Sequence, residues 1–132
     1  RIISEIVTED EAIKMETKKI RRVISPSTSE KMIDLLTSAV DQGESKFFNL
    51  EGYEIAGKTG TAQIPEEGTY DPNETNATFV GFMAGSKKFS MLVRLERPST
   101  SPYASETAVP LWMSLAHELA TYYSLPPDKQ PN

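Results

Sequence analysis

Tyr53-Glu54-Ile55-Ala56-Gly57-Lys58-Thr59-Gly60-Thr61-Ala62-Gln63 is the stretch on which the reading of this 132-residue chain turns. Around its two glycines the composition favours a strand, predicted over 53–64. Glycine has no Cβ, so Gly57 and Gly60 let a ligand or a neighbouring element approach the backbone closely. Lys58 supplies a fixed positive charge that attracts a carboxylate and favours deprotonation of neighbouring groups. The Thr59 hydroxyl can hydrogen-bond such a carboxylate, and the Thr61 amide can donate to a developing oxyanion. An exposed strand of this kind can also pair with an extended peptide by strand addition.

The segments on either side supply the architecture. Arg1 to Val7 and Ala12 to Glu16 flank the polar Thr8-Glu9-Asp10-Glu11 turn and read as a short hairpin. The basic run Lys18-Lys19-Ile20-Arg21-Arg22 reads as a solvated connector. Ser25-Pro26 opens a helix over 25–42, with serine capping the free amides and proline at the first helical position. Met32, Leu35, Leu36, Ala39 and Val40 form an apolar stripe at helical spacing, expected to be core, and Gly43 ends the helix.

Beyond the opening stretch, Pro65 to Asn76 is rich in Pro, Gly, Glu, Asp and Asn and is expected to be an exposed, mobile loop. Strands are predicted over 78–84 and 89–96, paired antiparallel through the turn Gly85-Ser86-Lys87-Lys88. Met91, Val93 and Leu95 should face one side of that sheet. A last helix is predicted over 107–124, with Val109, Trp112, Ala116, Leu119 and Tyr123 on its sheet-facing side. The fold class is therefore α+β: about three antiparallel strands, 53–96, packed against a mid-chain helix and a C-terminal helix.

Composition narrows the function. A charged fraction of 25% and an apolar fraction of 38% describe a globular chain. A net charge of −5 argues against a nucleic-acid surface. There is no cysteine, hence no disulfide or thiolate chemistry, and no apolar run approaches the roughly 20 residues that span a bilayer. The chain begins Arg1-Ile2-Ile3, without Met, and is expected to be part of a longer polypeptide.

Lys-Thr-Gly on a strand is one of three catalytic motifs shared by penicillin-binding proteins and serine β-lactamases. At even residue usage a given tripeptide arises by chance in roughly one or two of every hundred chains this long, so the surroundings matter. Val23-Ile24-Ser25-Pro26 enters a helix, and Val40-Asp41-Gln42-Gly43-Glu44 precedes Gly52 to Gln63. Tyr70-Asp71-Pro72, Asn76-Ala77-Thr78-Phe79-Val80-Gly81-Phe82 and Ala108-Val109-Pro110 follow. With these, nearly the whole chain resembles the C-terminal part of the transpeptidase domain of class B penicillin-binding proteins.

That resemblance implies a partial β-lactamase/transpeptidase-like fold. It also implies a peptidoglycan D,D-transpeptidase, in which a serine attacks a stem peptide ending in D-Ala-D-Ala and passes the acyl group to an amine. β-Lactams mimic the donor. Lys58 would contact the serine of the second motif and set the positive field. Thr59 and Thr61 would bind the substrate or drug carboxylate, beside Gly60, and the Thr61 amide would complete the oxyanion hole. Gln63 would line the strand farther out. The remainder of the transpeptidase domain would be a partner, the location extracytoplasmic, and no cofactor or metal is implied.

The other two motifs, Ser-x-x-Lys and Ser-x-Asn, are not recognisable: Ser4, Ser25, Ser27, Ser29 and Ser38 all lack a lysine three positions on. The chain alone is therefore expected not to form an acyl-enzyme. His117, the sole histidine, reads as a packed or surface residue and makes no metal site. Glu66 and Glu67 read as solvated loop acids, because adjacent side chains diverge. The sequons at Asn73 and Asn76 carry little weight. Two alternatives stay open: a β-lactamase or β-lactam sensor of the same fold, and a non-catalytic module that binds peptide at a sheet edge.

Overall fold

The structure, a computed structural model, describes residues 3–66 and 68–129. Arg1 and Ile2 of the expected hairpin, Glu67 of the expected loop and the last three residues of the polar tail lie outside them. β1 (Glu5–Val7) and β2 (Ala12–Lys14) pair antiparallel in register 5↔14 through 7↔12. The Thr8 amide closes their turn on the Glu11 carbonyl at 2.8 Å. Residues 16–23 form no regular element, as expected of a connector.

α1 runs Pro26–Asp41, with Pro26 in the first turn. Ser25 Oγ accepts from the Thr28 amide at 3.1 Å, satisfying one of the amides left free at a helix start. A short 3-10 helix, Glu44–Phe48, follows directly. Gly43, between the two, has an ordinary negative φ of −84°. It is glycine because a Cβ there would lie 2.2 Å from the Ala39 carbonyl oxygen. Close approach, and not a left-handed turn, explains the residue.

β3 (Ile55–Glu66), β4 (Thr69–Met83) and β5 (Ser90–Glu96) make one antiparallel sheet in that order, and α2 (Ala108–Tyr122) packs on β4 and β5. Pairing runs Ile55↔Met83 to Gln63↔Thr75 and Asn76↔Glu96 to Phe82↔Ser90. Strand alternation sends Ile55, Ala77, Phe79, Met83 and Val93 to one face, where they meet Val109, Trp112 and Ala116 of α2 in the core. Phe79 stands edge-on to Trp112, ring centroids 5.2 Å apart, and Trp112 Nε1–H donates to the Met91 carbonyl at 2.9 Å. Met91 and Leu95 pack against this core, as their alternation with Val93 predicts.

Two expectations are corrected. The segment 65–76 is not a loop. β3 and β4 continue through it as one hairpin, with Pro65↔Tyr70 and Glu66↔Thr69 paired. The register breaks between Gln63 and Pro65, because proline has no N–H to give to a ladder and the two strands re-pair out of step beyond it. Turn-forming composition was thus outweighed by extension of an already formed hairpin.

The α1 stripe is the second correction. Val40 is buried, but Met32 is 45% and Leu35 64% exposed. α1 packs on β3 and on the 3-10 helix, and among the described residues nothing covers the stripe's N-terminal part.

Candidate active-site strand

Among the described residues β3 is an edge strand, paired with β4 on one side only. The Ala84 amide donates to the Glu54 carbonyl at 2.7 Å, which makes 54↔84 a hydrogen-bonded pair. Antiparallel pairs alternate, so 56↔82, 58↔80 and 60↔78 are bonded, while Thr59 and Thr61 direct both N–H and C=O away from β4. Their amides and carbonyls therefore line the free edge.

Lys58 reaches that same edge. Its Nζ donates to the Thr59 carbonyl at 3.1 Å and lies 3.4 Å from Thr59 Oγ1. The ammonium and a hydroxyl thus sit beside outward-facing amides, which is what holding a carboxylate and an oxyanion requires. Gly60 keeps the strand thin where Thr78 Oγ1 donates to the Gly60 carbonyl at 3.1 Å. A Cβ on Gly60 would fall 2.6 Å from that hydroxyl oxygen. Gln63 is exposed on the same strand, the last paired residue before the register break.

Thr61 carries a feature the sequence did not reveal. Its Oγ1 accepts from the Ala104 amide at 3.2 Å, so the hydroxyl proton is free to be donated outward. This bond joins β3 to the segment between β5 and α2, 43 residues away in sequence.

A cavity of about 290 Å³ opens between Lys58-Thr59 and the end of α1, lined also by Ala39, Gly43, Glu44, Ser45 and Gly57. Ser45, only 3% exposed, borders it, and among the described residues no hydrogen bond is made by its hydroxyl. Only the 3-10 helix, which turns it inward, shows its place, and nothing in the local pattern signalled it.

The C-terminal segment fastens the approach to the strand. Tyr53 Oη donates to the Leu125 carbonyl at 2.9 Å, and the Glu54 amide donates to Asp128 Oδ1 at 2.6 Å. The amides of Asp128 and Lys129 both donate to the Gly52 carbonyl. Lys129 Nζ pairs with Asp41 at 3.1 Å, and Asp41 also receives the Asn49 side-chain amide. His117 is exposed on α2, and among the described residues no cluster of three or more His, Asp or Glu side chains could hold a metal ion.

Comparison with known proteins agrees with this geometry. The family model described as the penicillin binding protein transpeptidase domain matches residues 1–116. A peptidoglycan D,D-transpeptidase FtsI homolog of Mesostigma viride is 31% identical over 89% of this chain and 20% of its own length. Penicillin-binding protein PbpB of Mycolicibacterium smegmatis is 31% identical over 99% of this chain and 22% of its own. This chain thus spans about a fifth of such relatives.

Among solved structures, the ampicillin complex of penicillin binding protein 3 from a Mycobacterium is similar with a TM-score of 0.75 at 26% identity, over 98% of this chain and 32% of that one. The transpeptidase domain of penicillin-binding protein 3 from Burkholderia pseudomallei shares the fold at 0.72 and 22% identity, over 96% of this chain and 40% of that one. A Lys-Thr-Gly edge strand, its backing hairpin and closing helix, and a family model matching most of the sequence lead to one assignment: the chain belongs to the penicillin-binding protein transpeptidase domain family.

Proposed function

We propose that this chain forms the Lys-Thr-Gly wall of a class B peptidoglycan D,D-transpeptidase, as the C-terminal portion of its transpeptidase domain. The whole protein cross-links stem peptides through a serine acyl-enzyme and is acylated by β-lactams. The observation that carries the reading is the free edge of β3. There the Thr59 and Thr61 amides point outward beside the Lys58 ammonium, ready for an extended peptide ending in a carboxylate.

In this reading Lys58 supplies the positive field and contacts the second-motif serine. Thr59 and Thr61 hydroxyls hold the carboxylate, the Thr61 amide stabilises the oxyanion, and Gly60 and Gln63 line the bound strand. No serine of the chain is followed by lysine three residues on, so the nucleophile comes from another part of the whole protein. The exposed Met32 and Leu35 of α1, with Val80 and Leu92 on the open sheet face, suit contact with that part. The site of action is extracytoplasmic, where peptidoglycan lies; among the described residues no helix is long and apolar enough to cross a membrane.

The test is covalent labelling with a fluorescent penicillin. The whole protein should give a band stable to denaturing electrophoresis, weakened at least about 100-fold in rate by Lys58→Gln, while this chain alone should give none. A covalent band on the chain alone would sink the assignment of the nucleophile. Rapid deacylation by the whole protein would favour the β-lactamase alternative, and peptide binding without acylation would favour the non-catalytic module.

A further inference from the structure

Alternation turns the backbone N–H and C=O of Glu54, Ala56 and Lys58 toward the β4 side. At Glu54 the partner changes. A bonded antiparallel pair exchanges two hydrogen bonds, but among the described residues 54↔84 makes one, from the Ala84 amide to the Glu54 carbonyl. The Glu54 amide goes instead to Asp128 Oδ1 at 2.6 Å. At Gly52, beyond the end of β4, the carbonyl takes the Asp128 and Lys129 amides at 3.0 and 3.1 Å. The tail thus takes over from β4 where β4 has turned away.

Several features bring the tail to this place. At the end of α2, Ser124 adopts a left-handed φ of +52° and its amide donates to the Thr121 carbonyl at 3.0 Å. The Leu125 amide reaches back to the Ala120 carbonyl at 2.9 Å, which completes the reversal and lays Leu125 on the core. Two glycines leave room for the residues that follow. A Cβ on Gly52 would touch Pro127 Cβ at 3.4 Å. One on Gly85 would fall 2.7 Å from Asp128 Cβ and Cγ, and nearer still to Oδ2. Lys129 then pairs with Asp41, the last residue of α1, where an acid opposes the helix dipole and a cation offsets it. The end of α1 is one wall of the Lys58 cavity, and β3 is the other.

We propose that Leu125 to Lys129 form a strap that aims the candidate strand, with Asp128 as a positioning residue for Thr59 and Thr61. By fixing which way the peptide groups of Gly52 and Glu54 face, the strap sets the rotational phase of the chain as it enters β3. The alternate groups, at Thr59 and Thr61, then face outward in that same phase. Through Asp41, Lys129 holds the facing wall of the cavity to the same anchor. The consequence for acylation rests on the proposed function; the hold on β3 does not.

Amide hydrogen exchange on the chain reads the strap directly. Asp128→Ala should speed exchange at Ala56 and Lys58 about fivefold, and at least about threefold more than at Ala116 in the middle of α2. Gly85→Ala should act the same way without altering the tail, because its Cβ evicts the Asp128 carboxylate. Asp128→Asn keeps an acceptor oxygen and should stay within about twofold of the parent sequence. In the whole protein, well below its melting temperature, Asp128→Ala should slow penicillin acylation at saturating drug about threefold or more, with Asp128→Asn close to the parent. Equal factors at Ala56, Lys58 and Ala116, or unchanged exchange in both Asp128→Ala and Gly85→Ala, would overturn the strap. Faster exchange in β3 with unchanged acylation would overturn the positioning role. A parent protein that takes no penicillin label removes the transpeptidase reading and leaves the exchange result to decide the strap.

Discussion

Gly57 sits where the candidate strand crosses the tightest part of the core, so Gly57→Ala is a sharp test of the packing. An added Cβ would stand 2.4 Å from Phe79 Cζ, 3.1 Å from Phe79 Cε1 and 2.9 Å from the Val80 carbonyl oxygen. Ordinary contact begins near 3.4 Å, so the ring must withdraw by about 1 Å. It has nowhere to go: Phe79 is fully buried, stands against Trp112, and Trp112 is tied to the Met91 carbonyl. Overpacking of this kind costs about 1–3 kcal/mol, and loss of glycine's freedom in the unfolded chain returns about 0.4–1. The net is about 1–2 kcal/mol of destabilisation. At about 2.1 cal/mol/K per residue of unfolding entropy, that lowers the Tm by roughly 4–7 °C. Thermal melting followed by far-UV circular dichroism measures it, and the near-UV signal of Trp112, the only tryptophan, reports the displaced ring. Gly68→Ala is the control, since nothing lies within 4 Å of its Cβ and only its φ of +82° resists, so Trp112 should be silent. A Gly57→Ala protein with an unchanged melting point and near-UV spectrum would refute the packing argument.

Other outcomes follow from single contacts. Trp112→Phe, which removes the indole N–H donated to the Met91 carbonyl and trims a fully buried ring, should cost about 2 kcal/mol in urea unfolding. Thr37→Val should be neutral or stabilise by up to about 1 kcal/mol, because the Thr37 hydroxyl is buried with no partner among the described residues. Ser25→Ala removes the helix cap and should cost about 1 kcal/mol by the same measurement. Lys58→Gln should leave the chain's Tm nearly unchanged, since among the described residues the exposed ammonium bonds only to Thr59, so a large loss of penicillin labelling in the whole protein would be chemical in origin.

Local chemistry made much of this fold legible. Ser25-Pro26 marked a helix start within one residue, and the alternation of Met91, Val93 and Leu95 identified the buried face of β5. Lys58-Thr59-Gly60 identified the strand that carries the candidate site. Features set by distance in sequence stayed hidden. Turn-rich composition in 65–76 spoke for a loop, yet a hairpin already aligned from Ile55↔Met83 onward extends into it. The bond from Ala104 to Thr61 and those from Asp128 and Lys129 to Gly52 join residues more than 40 positions apart, beyond the reach of any periodicity. The α1 stripe was rightly read as apolar, but whether such a stripe is buried depends on a neighbour that its own residues do not name.

Pro65 divides the long hairpin into two lengths with different duties. The inner length, from Ile55 to Gln63, is locked between the core and β4, and there every backbone direction matters. Past the register break, the outer length has its own pairing, Pro65↔Tyr70 and Glu66↔Thr69, out of step with the rungs that aim Thr59 and Thr61. Such a joint works as a fuse. Lengthening, shortening or bending the tip dissipates at Pro65 before it reaches the candidate-site length of β3, so the arm can be reshaped by sequence change while Thr59 and Thr61 keep their aim.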